Sequence, residues 1–473
     1  MARVIVAGAG ICGLGTALLL ARDGHDVTVL ERDDRAVPGA ARDAWDAWQR
    51  KGVAQFRQPH NFMPGLRALL ERELPDVQQA LRAAGAAKFD LLVPMPPFFT
   101  DKSPRPIDAE LWTYTARRPT GEWVFRAAAE REPRVTLRSG VEVQSLLAGA
   151  AARDGVPHVT GVITRAGETL AADLVVDAMG RASKSPSWLA ALGAAPPYEE
   201  QEDCGFTYYT RFFSGTQPVM RGPPLMRYGT VSLLTLPGDN DTWSVTIFGA
   251  SNDKPLRRLR EPEIWTNVVR AFELHTHWLD GAPITTVLAL SGIVDRYRRF
   301  VVEGRPVATG FVAVADASAC TNPSAGRGLT VGMLHGRALR DVLREVGDDP
   351  NALARRFDAA TESEITPWYR AQVAVDRARF AQMRALADGR DPSPPADELA
   401  RGIAALFGCM MADPDLFRAG LEYAGTLTPV QEILRRPEVA ARIAAVSEAQ
   451  RSSAPPPDPP APDRRQLLAL LGA

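Results

Sequence analysis

The N-terminal segment constrains the fold of this chain more than any other part of the sequence. An apolar, β-branched run at residues 4–7 is followed by an apolar helical pattern from Leu14 to Ala21. The turn between them carries three glycines in GxGxxG spacing: Gly8, Gly10 and Gly13. In a βαβ unit the first glycine permits a tight turn, the second lets a pyrophosphate approach the backbone, and the third lets the helix pack on the sheet. The phosphates then meet free N–H groups at the start of the helix.

The segment that follows this helix completes the unit. Val27-Thr28-Val29-Leu30 predicts a second strand, and it ends on Glu31. An acid about 20 residues after the glycines is placed to accept hydrogen bonds from a ribose diol. The glycines alone are weak evidence, but a GxGxxG flanked by two strands and this acid indicates a dinucleotide-binding fold.

Charge and cysteine content exclude several classes of function. Lys and Arg total 55 against 56 Asp and Glu, so no field of one sign indicates binding to nucleic acid or to an anionic membrane. The cysteines are far apart and form no metal-binding or disulfide pattern, which predicts no metal site and a reducing compartment. Residues 4–21 are apolar, but their glycines and the lack of a basic lead-in argue against a signal peptide or a membrane span. We therefore expect a cytoplasmic protein without a membrane span.

A second strong signal lies far downstream of the first. Residues 310–315 form an apolar strand pattern that ends on Asp316, and a Pro- and Gly-containing loop then opens a helix from Gly328 to Val346. The acid can hold a polyol hydroxyl, and N–H groups at the helix start can face a delocalised anion. A simple NAD dehydrogenase leaves this second segment unexplained.

Together the two segments resemble the single-component FAD-dependent monooxygenases of the p-hydroxybenzoate hydroxylase type, a family that includes aromatic hydroxylases and squalene- and polyether-type epoxidases. The resemblance covers residues 2–345, and Leu174 to Arg181 matches the Asp-Gly motif of the family. It implies that FAD is bound by the following residues: Gly8, Gly10, Gly13, Glu31, Arg32, Arg50, Arg118, Asp316, Pro323, Gly326, Arg327, Gly328 and Leu329.

The chain departs from the family pattern at three positions. The glycine usually found before the third-block acid is Ala315, the histidine often found three residues after that acid is Ala319, and the Asp-Gly dipeptide is Asp177-Ala178. In the family the Asp-Gly segment touches both FAD and the nicotinamide cofactor. The departures therefore bear on the use of NADPH or NADH as a transient reductant, and a separate flavin reductase is the alternative source of electrons.

The distribution of apolar residues predicts the domain organisation. Residues 206–213, 226–236 and 243–250 alternate with period 2, as do 135–147 and 159–171, which predicts antiparallel strands. We predict an α/β fold in which a Rossmann-type FAD-binding domain carries an inserted, mostly antiparallel β substrate domain and a C-terminal helical region. The predicted boundaries are 1–196 and 291–346 for the FAD-binding domain, 197–290 for the substrate domain, 347–452 for the helical region, and 453–473 for a Pro-rich linker and tail.

The resemblance also implies a reaction. Such an enzyme inserts one oxygen atom from O₂ into an apolar or aromatic small molecule, by hydroxylation or epoxidation, through a flavin hydroperoxide. Candidate catalytic residues are Arg57 and His60, which follow Arg50, and Tyr209 and Arg211, on a predicted strand of the substrate domain. His60 is also compatible with a purely structural role. Because side chains alternate along a strand, Tyr208 points to the opposite face from Tyr209 and Arg211.

Three other functions share this type of FAD-binding domain. A reductase of the geranylgeranyl type would reduce an isoprenoid double bond without O₂. A flavin-dependent halogenase carries a WxWxIP phrase, whereas Trp45 and Trp48 have different spacing and no Ile-Pro follows them. A non-catalytic carrier has a decayed ADP-binding motif, whereas the motif here is complete. The substrate and the oligomeric state stay open at this point.

Overall fold

A five-stranded parallel sheet carries the first glycine motif. The computed structural model describes residues 1–150, 155–451 and 460–472. Its strands, in chain order, are β1 Arg3–Ala7, β2 Asp26–Glu31, β3 Ala87–Asp90, β4 Trp112–Thr115, β5 Val135–Ser139, β6 Val143–Ala148, β7 Val159–Thr164, β8 Thr169–Ala171, β9 Leu174–Asp177, β10 Tyr198–Asp203, β11 Phe206–Ser214, β12 Leu225–Tyr228, β13 Val231–Pro237, β14 Thr242–Ala250, β15 Ala282–Pro283, β16 Leu288–Leu290, β17 Val294–Arg299, β18 Val301–Val302, β19 Arg305–Pro306, β20 Phe311–Ala313 and β21 Ala319–Cys320.

The α-helices complete the element order. They are α1 Ile11–Arg22, α2 Ala44–Ala47, α3 Pro64–Glu73, α4 Pro75–Ala83, α5 Arg118–Arg131, α6 Ser185–Ala191, α7 Pro262–Arg270, α8 Gly328–Val346, α9 Pro350–Ala360, α10 Thr366–Ala387, α11 Glu398–Cys409, α12 Pro414–Ala424, α13 Val430–Leu434, α14 Pro437–Arg451 and α15 Arg464–Leu471. Among the described residues, no helix has both the length and the hydropathy that crossing a bilayer requires.

The parallel sheet has the strand order β20-β9-β1-β2-β5. All four neighbouring pairs are parallel, and α1 and α8 pack against each other over one face. In parallel sheets the ligand site lies outside the carboxyl ends of the strands. Here that edge brings together the turn after β1, the acid at the end of β2, and the loops after β9 and β20. The predicted Rossmann-type α/β domain is confirmed.

One predicted pairing was wrong. Residues 135–147 do not form antiparallel strands throughout, because β5 pairs in parallel with β2 at the edge of the first sheet. Helix α5 precedes β5 and crosses back over the sheet, and a strand that follows a helical crossover runs parallel to its neighbour. Only β6 enters the antiparallel three-stranded sheet with β7 and β8.

A large antiparallel sheet forms the second layer. Its order is β12-β13-β14-β11-β15, with β16 also paired to β11. One face packs its apolar side chains against α7 and α15, and the other face turns toward the parallel sheet. Helix α7 ends at Arg270, and a 3₁₀ turn follows from Glu273 to Leu279. The predicted domain boundaries stay predictions. Strand β10 precedes the large sheet in the sequence and β17 follows it, and these two strands pair with each other.

The C-terminal part is helical, as predicted, and is interrupted between α10 and α11 around Pro392–Pro395. The last helix, α15, packs on the large sheet through buried Leu467 and Leu471, and Arg464 forms an ion pair with Asp253 at 2.7 Å. Residues 453–459 of the predicted Pro-rich linker lie outside the described residues, as does residue 452 before it.

A buried ion pair joins the β13–β14 hairpin to the start of α5. The carboxylate of Asp239 is fully buried and accepts hydrogen bonds from the backbone N–H and the guanidinium of Arg117, at 2.7 to 3.0 Å. It also accepts one from Thr120 Oγ1 at 2.9 Å. Burial opposes ionisation, but Arg117 outweighs it and holds the pKa of Asp239 below its usual value near 3.8.

The stabilisation from Asp239 therefore has a defined pH dependence. Because its folded-state pKa lies below the unfolded one, the contribution is complete above about pH 4 and is lost as the pH falls through the folded-state pKa. We expect Asp239→Asn to lower the free energy of unfolding by about 2 kcal/mol at neutral pH, since Arg117 loses its charged partner. Urea unfolding of both proteins should show this difference shrinking below about pH 4. A difference that stays constant with pH would contradict the assignment.

Candidate active site

A cavity of about 780 Å³ lies at the carboxyl edge of the parallel sheet. Its wall contains residues of the turn at 8–13, the loop at 178–184 and the turn at 315–329. The two glycine-bearing turns, far apart in the sequence, therefore face one cleft. A long segment at 50–61 lines the cavity between them.

Each glycine of the first turn meets a different steric demand. Gly8 has a φ of +108°, and a Cβ there would lie 2.6 Å from the carbonyl oxygen of Ala178. A Cβ on Gly13 would lie 2.0 Å from the carbonyl oxygen of Gly8, so this glycine lets α1 pack against the turn. A Cβ on Gly10 would meet only Arg118 Nη2, at 3.9 Å, and would otherwise project into the cavity.

The start of α1 offers hydrogen-bond donors to this open space. No side chain caps the helix at Gly10, and the first N–H groups of a helix have no partner within it. Together with the open space over Gly10, these donors form a cradle that fits a pyrophosphate.

A cluster of alternating charges stands beside this cradle. Glu31 accepts hydrogen bonds from the backbone N–H groups of Ala9 and Asp33, both at 3.0 Å, and pairs with Arg50. Arg50 also pairs with Glu122, whose other oxygen accepts from Arg118 Nε at 2.6 Å. Asp33 lies 3.4 Å from Arg50 as well, so the cluster contains two guanidinium groups and three carboxylates.

The charges in the cluster hold one another ionised. Burial opposes ionisation of Glu122, but Arg50 and Arg118 outweigh it and keep the pKa of Glu122 below its usual value. Burial likewise opposes the charge on Arg50, and the carboxylates of Glu122 and Glu31 raise the pKa of Arg50. Glu122 was absent from the predicted site, although its spacing of four residues from Arg118 on one helix was a signal for the pair.

The second turn places an acid at the cavity wall. Asp316 follows β20, and burial raises the pKa of its carboxyl group. Among the described residues it accepts no hydrogen bond, so the carboxyl group is available to a ligand in the cavity. Asp177, at the end of β9, is instead fully buried and holds the loop after it through Met179 N–H and Ser183 Oγ.

Ala315, where the family has glycine, has a left-handed φ of +52°. Its N–H donates to His335 Nδ1 at 3.2 Å, and the other nitrogen of that imidazole contacts Thr361 Oγ1 at 2.9 Å. This buried chain of contacts supports a conformation that costs an L-residue roughly 1–2 kcal/mol. A Cβ at Gly328, the first residue of α8, would meet nothing within 4 Å, so the start of α8 is open to the cavity.

Most of the predicted FAD contacts line this cavity. They are Gly8, Gly10, Gly13, Glu31, Arg32, Arg50, Arg118, Asp316, Pro323, Gly326, Gly328 and Leu329. Arg327 is the exception: its side chain turns away, donates to the Tyr423 hydroxyl at 2.8 Å and stacks on the Tyr423 ring at 3.8 Å. The side chain of Arg327 therefore does not reach the cavity, because Tyr423 on a C-terminal helix supplies its partner, and a cofactor contact from the Arg327 backbone stays a prediction.

The predicted catalytic residues separate into two groups. Tyr209 and Arg211 lie on the face of β11 opposite the cavity, where Arg211 donates to Thr266 Oγ1 at 2.9 Å and Tyr209 belongs to the core over α7. Arg57 does not line the cavity either, since it donates to the Trp48 carbonyl oxygen at 2.9 Å and stacks on Trp45 at 4.6 Å. The structure therefore contradicts the placement of these three side chains at the reaction site.

His60 does line the cavity, with both ring nitrogens engaged. Its Nε2 accepts from Arg118 Nη1 at 3.2 Å, so its Nδ1 carries the proton and donates to the Gln58 carbonyl oxygen at 2.9 Å. Burial and the charge of Arg118 lower the pKa of His60 to about 3. A neutral imidazole whose two nitrogens both form hydrogen bonds favours the structural interpretation of His60 over an acid–base role.

The cavity extends beneath the large sheet. Side chains from that sheet and its flanks form this end: Tyr208, Thr210, Leu234, Thr246, Leu290 and Ile293. The Thr210 and Thr246 hydroxyls bond each other at 2.8 Å. The Tyr208 hydroxyl donates to Asn322 Oδ1, directly before Pro323 in the second turn. Strand alternation predicted that Tyr208 points to the face of β11 opposite Tyr209 and Arg211, whereas its partner Asn322 was not predicted.

Two buried carboxyl groups support Asn322 from behind. Asp376 on α10 accepts from Asn322 Nδ2 at 3.0 Å and from Gln372 Nε2 at 2.9 Å. Asp295 on β17 accepts from the Asn322 backbone N–H at 2.5 Å. Burial raises the pKa of both acids to about 7.

Comparison with known proteins finds a matching family model, a relative in sequence and proteins of similar structure. Residues 6–72 match the family model described as a NAD(P)-binding Rossmann-like domain. The chain is 26% identical over 361 residues to Protein Rv3254 of Mycobacterium tuberculosis, covering 72% of this chain and 73% of that protein. Its structure superposes on PqsL, a probable FAD-dependent monooxygenase from Pseudomonas aeruginosa, with a TM-score of 0.58, 16% identity, and 81% of this chain and 99% of that chain covered. The chain has the same fold as PqsL.

This fold is shared by enzymes of more than one reaction type. The flavin-dependent brominase Bmp2 superposes with a TM-score of 0.57 and 16% identity, over 95% of this chain and 99% of that chain. At such identities the likeness concerns the fold alone, and the reaction has to be argued from the residues of the cavity.

Proposed function

We propose that this protein is an FAD-dependent monooxygenase that inserts one oxygen atom from O₂ into an apolar or aromatic small molecule. NADPH, NADH or a separate flavin reductase would supply the electrons, and a cytoplasmic location is part of the proposal. The single observation that supports it best is the cleft that joins residues 8–13 to residues 323–329. A dinucleotide site alone would need only the first of these turns.

The residues present fit FAD along the length of the cleft. The open space over Gly10 and the uncapped start of α1 would take the pyrophosphate. Glu31 and Asp316 would accept hydrogen bonds from ribose and ribityl hydroxyls. The turn at 323–329 and the open start of α8 would face the flavin ring system. When bound, FAD supplies the redox and oxygen-transfer chemistry.

The remaining task of the protein is to orient the substrate and exclude water. The large sheet closes the cleft with neutral side chains, including Leu234, Leu290 and Ile293. A dry wall of this kind suppresses the side reactions that solvent would cause. Tyr208, fixed by Asn322, is the polar group best placed to orient a substrate there.

The decisive experiment is spectroscopic. The purified protein should show a flavin absorbance spectrum or acquire one when incubated with FAD. Anaerobic addition of NADPH, NADH or a flavin reductase should bleach it, and O₂ should restore it. Uptake of O₂ coupled to an oxygenated product would exclude the geranylgeranyl-type reductase, and a protein that cannot take up FAD would indicate the carrier.

Asp316 provides a direct test of the second half of the site. We expect Asp316→Ala to weaken FAD affinity by about 10- to 150-fold, because a hydrogen bond to a charged group contributes roughly 1.5–3 kcal/mol. Asp391→Ala removes an exposed carboxylate and should leave affinity unchanged. Flavin fluorescence quenching measures both, and an unchanged dissociation constant in Asp316→Ala would remove the assigned role.

A further inference from the structure

The part of the cavity under the large sheet differs in charge from the rest. Its lining side chains from the sheet and its flanks are all uncharged, whereas the cradle end carries Arg50, Arg118, Glu31 and Asp316. Arg227 projects from the same face of the sheet on the edge strand β12 but does not line the cavity. A carboxylate or phosphate on the substrate would therefore find no cation among the side chains that line this end of the cavity.

The hydrogen-bond polarity of this end follows from the carboxylate of Asp376. Once Asp376 is ionised it only accepts hydrogen bonds, so the amide nitrogen of Asn322 faces it, 3.0 Å from Oδ1. Gln372 Nε2 donates to the other oxygen at 2.9 Å, which keeps both oxygens engaged as acceptors. The amide of Asn322 is thus oriented by its neighbours.

This orientation determines what Tyr208 can offer to a ligand. With its nitrogen against Asp376, Asn322 presents Oδ1 to Tyr208, and the tyrosine O–H must donate to it. A phenol has one O–H donor, so the oxygen of Tyr208 is left with acceptor capacity only. The ring is held in place by stacking on Phe248, with centroids 4.9 Å apart.

The two threonine hydroxyls at this end have no fixed polarity. Thr210 and Thr246 form a mutual hydrogen bond at 2.8 Å, which uses one of their two O–H donors, and either hydroxyl can be the donor. The aliphatic side chains Leu234 and Leu290 complete the wall. The Tyr208 oxygen, in contrast, is an acceptor whose orientation is fixed by hydrogen bonds that run through Asn322 to Asp376.

We propose that this end of the cavity binds an uncharged substrate that presents a hydroxyl or amine hydrogen to the oxygen of Tyr208. The inference rests on the proposed function and narrows its substrate class. It separates alcohols, phenols and amines from their methyl ethers, which lack the donor. It also separates them from aromatic acids, whose charge has no partner here.

The test uses the FAD-loaded protein at about pH 9, where a carboxyl group with a raised pKa such as that of Asp376 is ionised. The probes are 2-naphthylmethanol, its methyl ether and 2-naphthoate, and binding is followed by the perturbation of the flavin absorbance. We expect the alcohol to bind about 5- to 10-fold more tightly than the ether, as one hydrogen bond requires. We expect 2-naphthoate to bind at least about 10-fold more weakly than the alcohol.

Three variants test the residues behind this preference. Tyr208→Phe should bring the ratio of alcohol to ether affinity close to one, and Asp376→Asn should lower it, since an amide no longer forces the nitrogen of Asn322 toward it. Tyr209→Phe, which removes the adjacent hydroxyl on the opposite face of β11, should keep the wild-type ratio.

The outcomes separate this inference from the proposed function. A wild-type ratio near one, tight binding of 2-naphthoate, an unchanged ratio in Tyr208→Phe, or failure of the alcohol to bind would each overturn the inference alone. Failure to bind FAD, or to react with O₂ after reduction, would overturn the proposed function before any probe is added.

Discussion

We expect Gly10→Val to leave the protein folded and to weaken FAD binding by more than about 100-fold, because branched methyl groups would occupy the space over the start of α1. Gly10 has a φ of −76°, which any L-residue adopts, and a Cβ there meets only the end of the Arg118 side chain at 3.9 Å. The substitution therefore costs the fold little. It fills the place where a pyrophosphate would meet the helix N–H groups.

The matched control is Gly39→Val. Gly39 is exposed, and a Cβ there meets nothing within 4 Å, so FAD affinity should not change. Circular dichroism and thermal unfolding of the apoprotein would establish that Gly10→Val is folded. Stoichiometric FAD in purified Gly10→Val protein would falsify the assignment of the first turn to the cofactor.

The second large effect is expected at Glu122. Glu122→Gln would leave Arg50 and Arg118 buried side by side with one carboxylate fewer. We expect the free energy of unfolding of the apoprotein to fall by about 3–5 kcal/mol, the usual cost of removing one partner from a buried ion pair. FAD should stabilise this variant more than it stabilises the wild type, because an anionic ligand would replace part of the missing charge.

Glu130→Gln is the control on the same helix. Glu130 also pairs with an arginine four residues away, at 2.9 Å, but its side chain is 49% exposed. Exposed pairs contribute about 0–1 kcal/mol, so this variant should unfold almost like the wild type. Chemical unfolding with and without FAD measures both effects, and equal destabilisation by the two variants would refute the role given to burial.

The parts of the site that were predictable are those built from local sequence. The glycine turn, Glu31 and the start of α8 each belong to a strand–turn–helix unit, whose geometry follows from neighbouring residues. The apolar segment before Asp316 predicted that the acid would stand at the end of a buried strand, where β20 places it. Alternation along β11 separated Tyr208 from Tyr209 and Arg211 correctly.

The parts that failed depend on partners distant in the chain. Arg327 lies within the turn at 323–329, but its side chain binds Tyr423 of α12 and does not line the cavity. The orientation of Asn322 is determined by Asp376 on α10, and no local pattern links these two residues. Residues 135–139 alternate like an antiparallel strand, and only the crossover through α5 makes β5 parallel.

The closing strand of the parallel sheet has a consequence for biosynthesis. Strand β9 pairs with β20 at the outer side of the sheet, and β20 is synthesised only after residues 178–310. At a translation rate of about 5–20 residues per second, the nascent chain carries an open strand edge for on the order of ten seconds. Such an edge invites pairing with other chains. The cleft lacks the wall formed by residues 315–329 during that interval, so we expect the yield of native protein on expression to respond to chaperone supply rather than to added riboflavin.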